Sequence, residues 1–323
     1  MRKILLSCAV VFAAITSVQA QAPANAIEGK FSVAADKQVF FAKGNLRYTQ
    51  STQTWAFAEH QYDVLGMANI SDYELADEID LFGWSGSTGS AKWGVSTSKD
   101  YNDYSGDFAD WGKNPIGTDT PNTWRTLSKE EWNYIFYTRT NAAKLFGLGS
   151  VNGVNGTIIL PDNWTTPADV TFTPSTEKGL KDKHGSYYNN PNGDNYTHNI
   201  YTLSDWQKME EAGAVFLPAA GRIFEQEVGL VQECGGYWSS TSDARSSAYD
   251  LYFLDYRLLP QYDFRRSYGL SVRLVTDYSG TVTGISNIPS AGKDENVRKV
   301  FRNGQVLILR NGKIYTLTGA KVK

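Results

Sequence analysis

The segment 66–123 places the strongest constraint on the fold, because tryptophans lie in it among residues that are typical of loops. It is rich in Gly, Ser, Asp and Asn, shows little periodicity, and contains Trp84, Trp93 and Trp111. Disordered segments are poor in aromatic residues, since they cannot bury enough apolar surface to offset the entropy of ordering. We therefore expect a long, ordered loop region that is held in place by buried indole side chains.

The first twenty residues have the pattern of a secretory signal peptide. Arg2 and Lys3 precede an apolar run at 4–15, and small residues end the segment at Ala20. The run is too short for a permanent membrane span, and no later apolar run is long enough to cross a bilayer. We expect a secreted protein without a transmembrane segment, located in the periplasm, at the outer-membrane surface or outside the cell.

Loss of this segment leaves Cys234 as the single cysteine, so no intrachain disulfide is possible. Stability must come from a packed core, for which the chain offers 9 Trp, 19 Tyr and 15 Phe. We expect Cys234 to be a small buried apolar residue within that core.

Charge is unevenly distributed along the chain. Residues 297–323 contain seven Lys or Arg and no Asp or Glu, and Arg2 and Lys3 lie in the leader. The other 22 of the 31 basic residues are outnumbered by 34 acidic residues in 21–296. Neutralising phosphates requires a basic face, so we expect no nucleic-acid partner.

Two segments have the pattern of capped helices. Ser128 is followed by Glu131 in "SKEEWNYIFYTR", and Ser204 by Gln207 in "SDWQKMEEAG", which ends at Gly213. This spacing matches the reciprocal capping box, in which two free amides at a helix start are satisfied. The residues expected on the buried faces of these helices are Trp132, Ile135, Phe136, Trp206 and Met209.

The remaining periodic segments read as strands. Residues 30–59 alternate apolar and polar residues between turns, and "AVFLPAAGR", "GGYWSST", "AYDLYF" and "YGLSVRLV" follow one another after the second helix. The end of the chain has Asn-Gly turns at 303–304 and 311–312 between apolar runs, which favours a hairpin or small β-module. We predict an α+β fold with two helices, small antiparallel sheets and long ordered loops. The predicted organisation is a signal peptide at 1–20, a leader at 21–30, a folded domain at 31–276, a linker at 277–296 and a basic β-rich tail at 297–323.

Several of these segments resemble, in this order, a family of secreted Bacteroidetes and Fibrobacter proteins with the major paralogous domain. The segments are "FFAKGNLRY", "WAFAEHQYDVLG", "IDLFGWSGS", "TWRTLSKEEWNYIF", "AGAVFLPAAGRI", "GGYWSST" and "YGLSVRLV". The resemblance implies a C-type-lectin-like domain over 31–276, similar to the formylglycine-generating-enzyme fold and to ligand-binding proteins diversified by retroelements. It further implies ligand binding on one loop-and-sheet face, but names no ligand, because one scaffold hosts unrelated tasks.

The chain departs from the functional motifs of these relatives. The tripeptides Glu-Pro-Asn, Gln-Pro-Asp and Trp-Asn-Asp of calcium-dependent lectins are missing, as is the cysteine pair of formylglycine-generating enzymes. We expect no enzymatic activity of that kind and no cofactor. Calcium binding by the acidic loop at 100–110 remains an alternative. The tail resembles the first half of the sorting domains of type IX secretion cargo, which leaves export signalling and a plain stabilising hairpin both open.

The closing strands divide into core and display residues by their alternation. The predicted core consists of Trp238, Leu251, Phe253, Val272 and Leu274, with Ser271 and Arg273 facing outward. The segment 243–266 combines tyrosines with arginines and aspartates, a combination that binding interfaces favour. The predicted ligand-binding residues are Asp250, Tyr252, Asp255, Tyr256, Arg257, Gln261, Tyr262, Asp263 and Arg265.

We therefore expect a secreted or surface-associated adhesion-type protein that binds a protein or a glycan through 243–266 without catalysis. Two alternatives come from other classes. A hydrolase acting on polysaccharide would need two carboxylates in distinct environments. A structural subunit of a surface assembly would use the tail at 297–323 for strand addition.

Overall fold

The computed structural model of this protein divides into two compact units, Ala20–Ser279 and a second that contains Gly280–Lys323. It describes residues 22–174, 180–181, 187–188, 196–243, 246–278, 297–302, 305–310 and 313–315, with the backbone alone for 180–181, 187–188 and everything from 297 on. The larger unit is a mixed α+β protein with short helices and several small sheets, as the sequence predicts. None of the helices in these ranges has the length and apolar character that a membrane span requires. The predicted signal peptide and most of the predicted linker lie outside the described residues.

The larger unit is built mainly from short strands joined by irregular segments. In chain order its described strands are β1 (Phe31–Ala34), β2 (Lys37–Phe41), β3 (Leu46–Thr49), β4 (Thr54–Phe57), β5 (Ile70–Ser71), β6 (Glu74–Leu75), β7 (Glu78–Ile79), β8 (Phe146–Val151), β9 (Val154–Ile159), β10 (Leu180–Lys181), β11 (Tyr187–Tyr188), β12 (Ile200–Tyr201), β13 (Val215–Pro218), β14 (Arg222–Phe224), β15 (Glu227–Gly229), β16 (Cys234–Ser242), β17 (Ser247–Leu254), β18 (Arg257–Arg265) and β19 (Val275–Asp277). The largest sheet is antiparallel, with the order β10-β11-β18-β17-β16. A four-stranded sheet has the order β12-β8-β9-β13, with β12 parallel to β8. In a third sheet, β2 pairs with both β1 and β19, which ties the start of the unit to its end.

Helix α1 (Lys129–Asn133) begins as the sequence predicts. The Ser128 hydroxyl accepts a hydrogen bond from the Glu131 amide at 3.2 Å, and the Glu131 carboxylate accepts one from the Ser128 amide at 2.9 Å. Arg125 binds the same carboxylate through both terminal nitrogens, at 2.7 and 2.8 Å. The helix continues as a π-turn, Tyr134–Thr138.

Helix α2 (Leu203–Glu211) begins two residues earlier than the predicted Ser204–Gln207 box. Its N-cap is Thr202, whose hydroxyl accepts a hydrogen bond from the Asp205 amide at 3.2 Å and donates one to the Asp205 carboxylate at 2.8 Å. The predicted start was wrong because Thr202 and Asp205 have the same spacing as Ser204 and Gln207, and threonine is also a favourable N-cap residue. Both predicted core residues of this helix are buried, and Gly213 follows its end with a φ of +92°.

The loop region at 66–123 is ordered around its tryptophans. It contains short 3₁₀ turns and two-residue strands, and Trp84 and Trp111 are fully buried in it. The Trp84 indole donates to the Ser239 carbonyl at 3.0 Å, and the Trp111 indole donates to the Trp93 carbonyl at 2.8 Å. Trp93 itself is half-buried, so the prediction of pinning indoles is confirmed for the other two.

The largest sheet is covered on both faces. On one face Leu251 and Phe253 belong to an apolar cluster that includes residues of α1. On the other, Trp238 packs with Val272 and Leu274 and with partly buried aromatic residues. All five predicted core residues are at most 1% exposed, which confirms that part of the assignment. Because both faces are covered, residues that alternate with the core are not automatically in solvent.

Arg273 is buried although it lies outside the strands of the largest sheet. The prediction that Ser271 and Arg273 face outward was wrong, since they are 0% and 1% exposed. The guanidinium donates to the backbone carbonyls of Ala42 and Phe216 at 3.1 and 2.8 Å. It also donates to the side-chain oxygens of Asn45 and Gln61, at 3.0 and 3.3 Å.

The second unit contains a three-stranded antiparallel sheet in its described residues. The strands are β20 (Val297–Arg302), β21 (Gln305–Arg310) and β22 (Lys313–Tyr315), in the order β20-β21-β22. This is the kind of small β-module that the paired Asn-Gly dipeptides favour.

Candidate functional site

The nine predicted binding residues lie on β17, on β18 and in the turn between them. Asp255, Tyr256, Gln261, Asp263 and Arg265 are exposed, whereas Arg257 and Tyr262 are half-buried. Asp250 and Tyr252 are 1% and 4% exposed, so the expectation that they face solvent was wrong. Alternation places them opposite Leu251 and Phe253 correctly, but that second face is also packed.

A bulge in β18 determines which of these residues come together. Asp250 pairs with Tyr262 and Tyr252 with Leu259, so Pro260 and Gln261 together lie opposite one residue of β17. Such an extra residue kinks the strand and redirects its side chains. Asp263 pairs with Tyr249 and therefore lies on the other face from Tyr262. Arg265 pairs with Ser247 and so shares the face of Asp263. Gln261, Asp263 and Arg265 thus do not join the group formed by the rest.

A cleft of about 610 Å³ opens beside the turn that joins β17 to β18. Four of the nine predicted residues line it: Tyr252, Asp255, Tyr256 and Arg257. The other lining residues are Asn155, Tyr196, Leu230, Gln232, Glu233 and Leu254. This volume lies within the range of about 300–1,000 Å³ that is usual for ligand pockets.

The wall opposite the turn is held by the segment 230–233. The Gln232 side chain accepts a hydrogen bond from the Asn155 amide at 2.7 Å, and the Asn155 side chain donates to the Gln232 carbonyl at 3.0 Å. The Tyr196 hydroxyl donates to the Glu233 carbonyl at 2.8 Å. Leu230 and Gln232 have φ values of 59° and 68°, left-handed conformations that cost non-glycine residues of order 1 kcal/mol or more each. A strained segment with this many anchors is a pre-formed wall.

Arg257 organises the near wall. Its guanidinium carbon lies 5.5, 5.4 and 6.0 Å from the ring centroids of Tyr252, Tyr256 and Tyr262 respectively. These are cation–π distances, and the contacts restrict both the guanidinium and the rings. Tyr256 nevertheless keeps 48% of its surface in solvent. The turn therefore presents a fixed aromatic ring beside a fixed positive charge.

The buried groups behind the cleft have pKa values far from neutrality. Burial raises the pKa of the Tyr252 hydroxyl to about 12, with Cys234 adding to the shift and Arg222 and Arg257 opposing it. Burial likewise raises the pKa of the Cys234 thiol to about 12. Cys234 is 1% exposed, as predicted for a small apolar core residue. Neither group is ionised at neutral pH, so neither supplies a nucleophile or a base there.

Asp250 is the exceptional residue of this sheet face. Neither carboxyl oxygen has a hydrogen-bond partner among the described residues. Burial raises its pKa well above the usual range, and Asp263 adds to the rise while Arg222 opposes it. The group does not line the cleft. Its effect is on stability, because a buried carboxyl without partners disfavours ionisation.

The acidic loop at 100–110 does not gather its carboxylates. Asp103 accepts hydrogen bonds from the Ser90 and Ser98 hydroxyls at 2.7 and 2.5 Å, while Asp110 caps a 3₁₀ turn through the Gly112 amide at 3.0 Å. Within the described ranges, no three His, Cys, Asp or Glu side chains are close enough to hold a metal ion together. The alternative of calcium binding therefore has no geometric support in this part of the chain.

Sequence reasoning missed the far wall of the cleft. Asn155, Tyr196 and Gln232 lie far along the chain from the turn and carry no pattern that links them to it. The only local signal is that Gln232 and Glu233 directly precede the "CGGYW" strand. The pairing of β16 with β17 brings the segment before β16 to the turn, and Asn155 and Tyr196 are hydrogen-bonded to that segment.

Comparison with known proteins adds no assignment. No family model, curated protein or solved structure matches this chain.

Proposed function

We propose that this chain is a non-enzymatic binding protein, secreted or surface-associated, that recognises a protein or glycan ligand at the cleft beside the β17–β18 turn. The proposal includes a C-type-lectin-like architecture for the larger unit. The α+β class, the antiparallel sheet and the long ordered loops support that architecture, together with the motif resemblance. The observation that carries the function is the convergence of Tyr252, Asp255, Tyr256 and Arg257 on one cleft.

The chemistry of the lining suits recognition. Tyrosine and arginine provide large contact areas with few rotatable bonds, and they are enriched where binding energy concentrates. Here the exposed Tyr256 ring is joined by a guanidinium, carboxylates at Asp255 and Glu233, and amides at Asn155 and Gln232. A ligand with hydroxyl or amide groups can both donate to and accept from such a set.

The rigidity of both walls supports binding as well. Ordering a flexible side chain on association costs roughly 0.5–1.5 kcal/mol. Arg257 is already held among three rings, and the segment 230–233 is already anchored by Asn155 and Tyr196. Much of this ordering cost is therefore met when the protein folds.

The buried tyrosines at the cleft are suited to binding and not to proton transfer. General acid–base catalysis needs a group whose pKa lies near the working pH. The pKa values of Tyr196 and Tyr252 are both raised by burial, away from neutrality. These tyrosines are suited to hydrogen bonding and packing.

The test is a binding measurement with a matched pair of tyrosine variants. Tyr256→Ala removes a cleft ring that is 48% exposed, and Tyr101→Ala removes a ring that is 47% exposed in the loop region outside the cleft. Wild-type protein is screened on arrays of glycans and of extracellular proteins, and the affinity of each ligand found is measured for both variants. We expect Tyr256→Ala to weaken binding by 30-fold or more, because central aromatic residues contribute about 2 kcal/mol or more. Tyr101→Ala should stay within twofold of wild type.

Two results would overturn the proposal. One is that Tyr256→Ala and Tyr101→Ala bind every ligand as wild type does, with unchanged thermal unfolding. The other is that a bound glycan is consumed, with new reducing ends that accumulate in proportion to enzyme, which would favour a hydrolase.

A further inference from the structure

The cleft is continuous with a row of aromatic rings on the same sheet face. This aromatic row consists of Tyr252, Tyr262, Phe264, Tyr268 and Phe224. Consecutive ring centroids are separated by 5.1, 5.0, 4.9 and 4.9 Å in that order. The row begins in the cleft with Tyr252 and ends with Phe224 on β14, which is 43% exposed. Between these ends, Tyr262, Phe264 and Tyr268 are half-buried, so their outer parts reach the surface.

The far end of the aromatic row enters a second, smaller depression of about 70 Å³. Phe224 and Tyr268 line it, together with the exposed cations Lys99 and Arg265. Its other lining residues are Thr97, Ser98, Ile223, Glu225, Gln226 and Ser267. The cleft and this depression are thus two ends of one surface.

Cationic side chains lie beside the row, and carboxylates line both depressions as well, namely Asp255 and Glu233 in the cleft and Glu225 in the second depression. The Arg222 guanidinium lies 5.2 Å from the Phe264 centroid and 5.5 Å from that of Tyr268, and Arg257 occupies the equivalent place at the cleft. The ion pairs found within the described ranges involve other basic residues, not Lys99, Arg222, Arg257 or Arg265. These four cations therefore have no carboxylate partner within 4.0 Å in that part of the chain, although the larger unit is acidic overall. Arg265 lies on the opposite face of β18 from Phe264 and belongs to this set as a lining residue of the second depression.

We propose that the ligand is a linear acidic glycan that runs from the cleft along the aromatic row to the second depression. This inference rests on the proposed function and deepens it by naming the ligand class and a second subsite. The subsite is formed by Lys99, Arg265 and Phe224, and it binds a carboxylate or sulfate several sugar units away from the unit in the cleft.

The lining chemistry suits a glycan ligand. Protein interface cores are apolar and depleted of charge. Both depressions instead consist mainly of hydroxyl, amide and charged side chains, with Leu230, Leu254 and Ile223 as the aliphatic members. Sugar hydroxyls match such groups because they donate and accept hydrogen bonds, and the C–H faces of sugar rings pack on aromatic side chains. At the second depression Lys99 and Arg265 outnumber the carboxylate of Glu225, which favours an acidic group of the chain at that end.

The experiment tests how the length and the charge of the glycan affect binding. The probes are the disaccharide and octasaccharide of polygalacturonate, the octasaccharide with its carboxylates methyl-esterified, and hyaluronan octasaccharide. Binding to the full chain is measured by calorimetry at low and physiological salt. The variants are the double substitution Lys99→Ser with Arg265→Ser, and Lys113→Ser as a control, because Lys113 is exposed and lies outside both depressions.

We expect at least one acidic octasaccharide to bind, and to bind at least tenfold more tightly than the disaccharide. Esterification and salt should each weaken it. The double substitution should weaken the octasaccharide about tenfold and leave the disaccharide within twofold, since the disaccharide fills the cleft alone. Lys113→Ser should change neither.

The outcomes separate this inference from the proposed function. Equal affinity for acidic and esterified octasaccharides, or no effect of the double substitution, overturns the second subsite while the role of Tyr256 in the cleft stands. Failure of both acidic octasaccharides to bind overturns the ligand class, and a protein ligand that depends on Tyr256 does the same. If no ligand is found whose binding depends on Tyr256, the proposed function itself is overturned.

Discussion

Replacement of Arg273 by methionine tests the position at which the structure and the strand alternation predict the most different losses of stability. Alternation places this side chain in solvent, where a substitution usually changes the free energy of unfolding by at most about 0.5 kcal/mol. The structure buries it, with donors to Ala42, Phe216, Asn45 and Gln61. Burial lowers the pKa of Arg273 to about 10, so the guanidinium is still protonated at neutral pH.

The expected loss of stability comes from the hydrogen-bond acceptors that methionine leaves without a donor. The Gln61 oxygen also accepts from the Phe216 amide at 2.8 Å and keeps that partner. Three acceptors remain unsatisfied, namely the carbonyls of Ala42 and Phe216 and the amide oxygen of Asn45. Each buried acceptor without a donor costs roughly 1–3 kcal/mol, and new apolar contacts of methionine offset part of this cost. We expect a net loss of about 3–5 kcal/mol from a total stability of about 5–15 kcal/mol.

The assay is equilibrium unfolding in guanidinium chloride, followed by tryptophan fluorescence. Arg265→Met is the matched control, because Arg265 is an exposed strand arginine, and it should change the free energy of unfolding by at most about 0.5 kcal/mol. Arg273→Lys serves if the methionine variant does not fold. A compact ammonium cannot reproduce the planar fork of donors, so we expect it to lose about 1–3 kcal/mol. Values for Arg273→Met and Arg273→Lys that match the control would refute the buried network.

Three other predictions follow from single contacts. Asp250→Asn keeps the shape but removes an acid whose pKa is raised in the folded state. The protonated acid of the wild type favours folding most below its unfolded pKa of about 3.9, and this contribution is lost as the pH rises toward the folded pKa. Denaturation curves should therefore show the asparagine variant gaining stability relative to wild type from pH 4 to pH 8. Equal pH profiles would contradict the burial of this group. The Cys234 thiol should react with a thiol reagent in denaturant but resist it for hours in native protein, and rapid native labelling would show that it is accessible. Ser128→Ala removes the N-cap acceptor of α1 and should cost about 1 kcal/mol in thermal or chemical unfolding. Ser204→Ala should cost less, because Thr202 caps α2. A larger cost for Ser204→Ala would instead support Ser204 as the cap, as the sequence predicts.

The sequence predicted residues on the turn side of the cleft but none on its far wall. Tyr256 and Arg257 were predicted because tyrosine and arginine alternate with acids in a short segment, and both line the cleft. Asn155 and Gln232 on the far wall, and Arg222 and Phe224 beside the aromatic row, were not predicted. Their contribution depends on which distant strands the fold places together, and single-sequence patterns carry no signal for that.

What the sequence determined by itself was local. Ser128 and Glu131 specify the start of a helix because their side chains reach each other's amides within one turn. Trp84 and Trp111 require an ordered core within an irregular segment, because such large apolar rings are costly to leave in water. The alternation of β17 correctly separates Leu251 from Asp250.

Only the tertiary structure decided what covers each face. Alternation shows that Asp250, Tyr252 and Arg273 point away from their neighbours, but it does not show whether water or another layer lies there. A second apolar cluster lies there for Asp250 and Tyr252, and the carbonyls of Ala42 and Phe216 lie there for Arg273. The physical reason is that side-chain direction is set by backbone geometry within a few residues, whereas burial is set by contacts between segments that can be more than 200 residues apart, as Arg273 and Ala42 are.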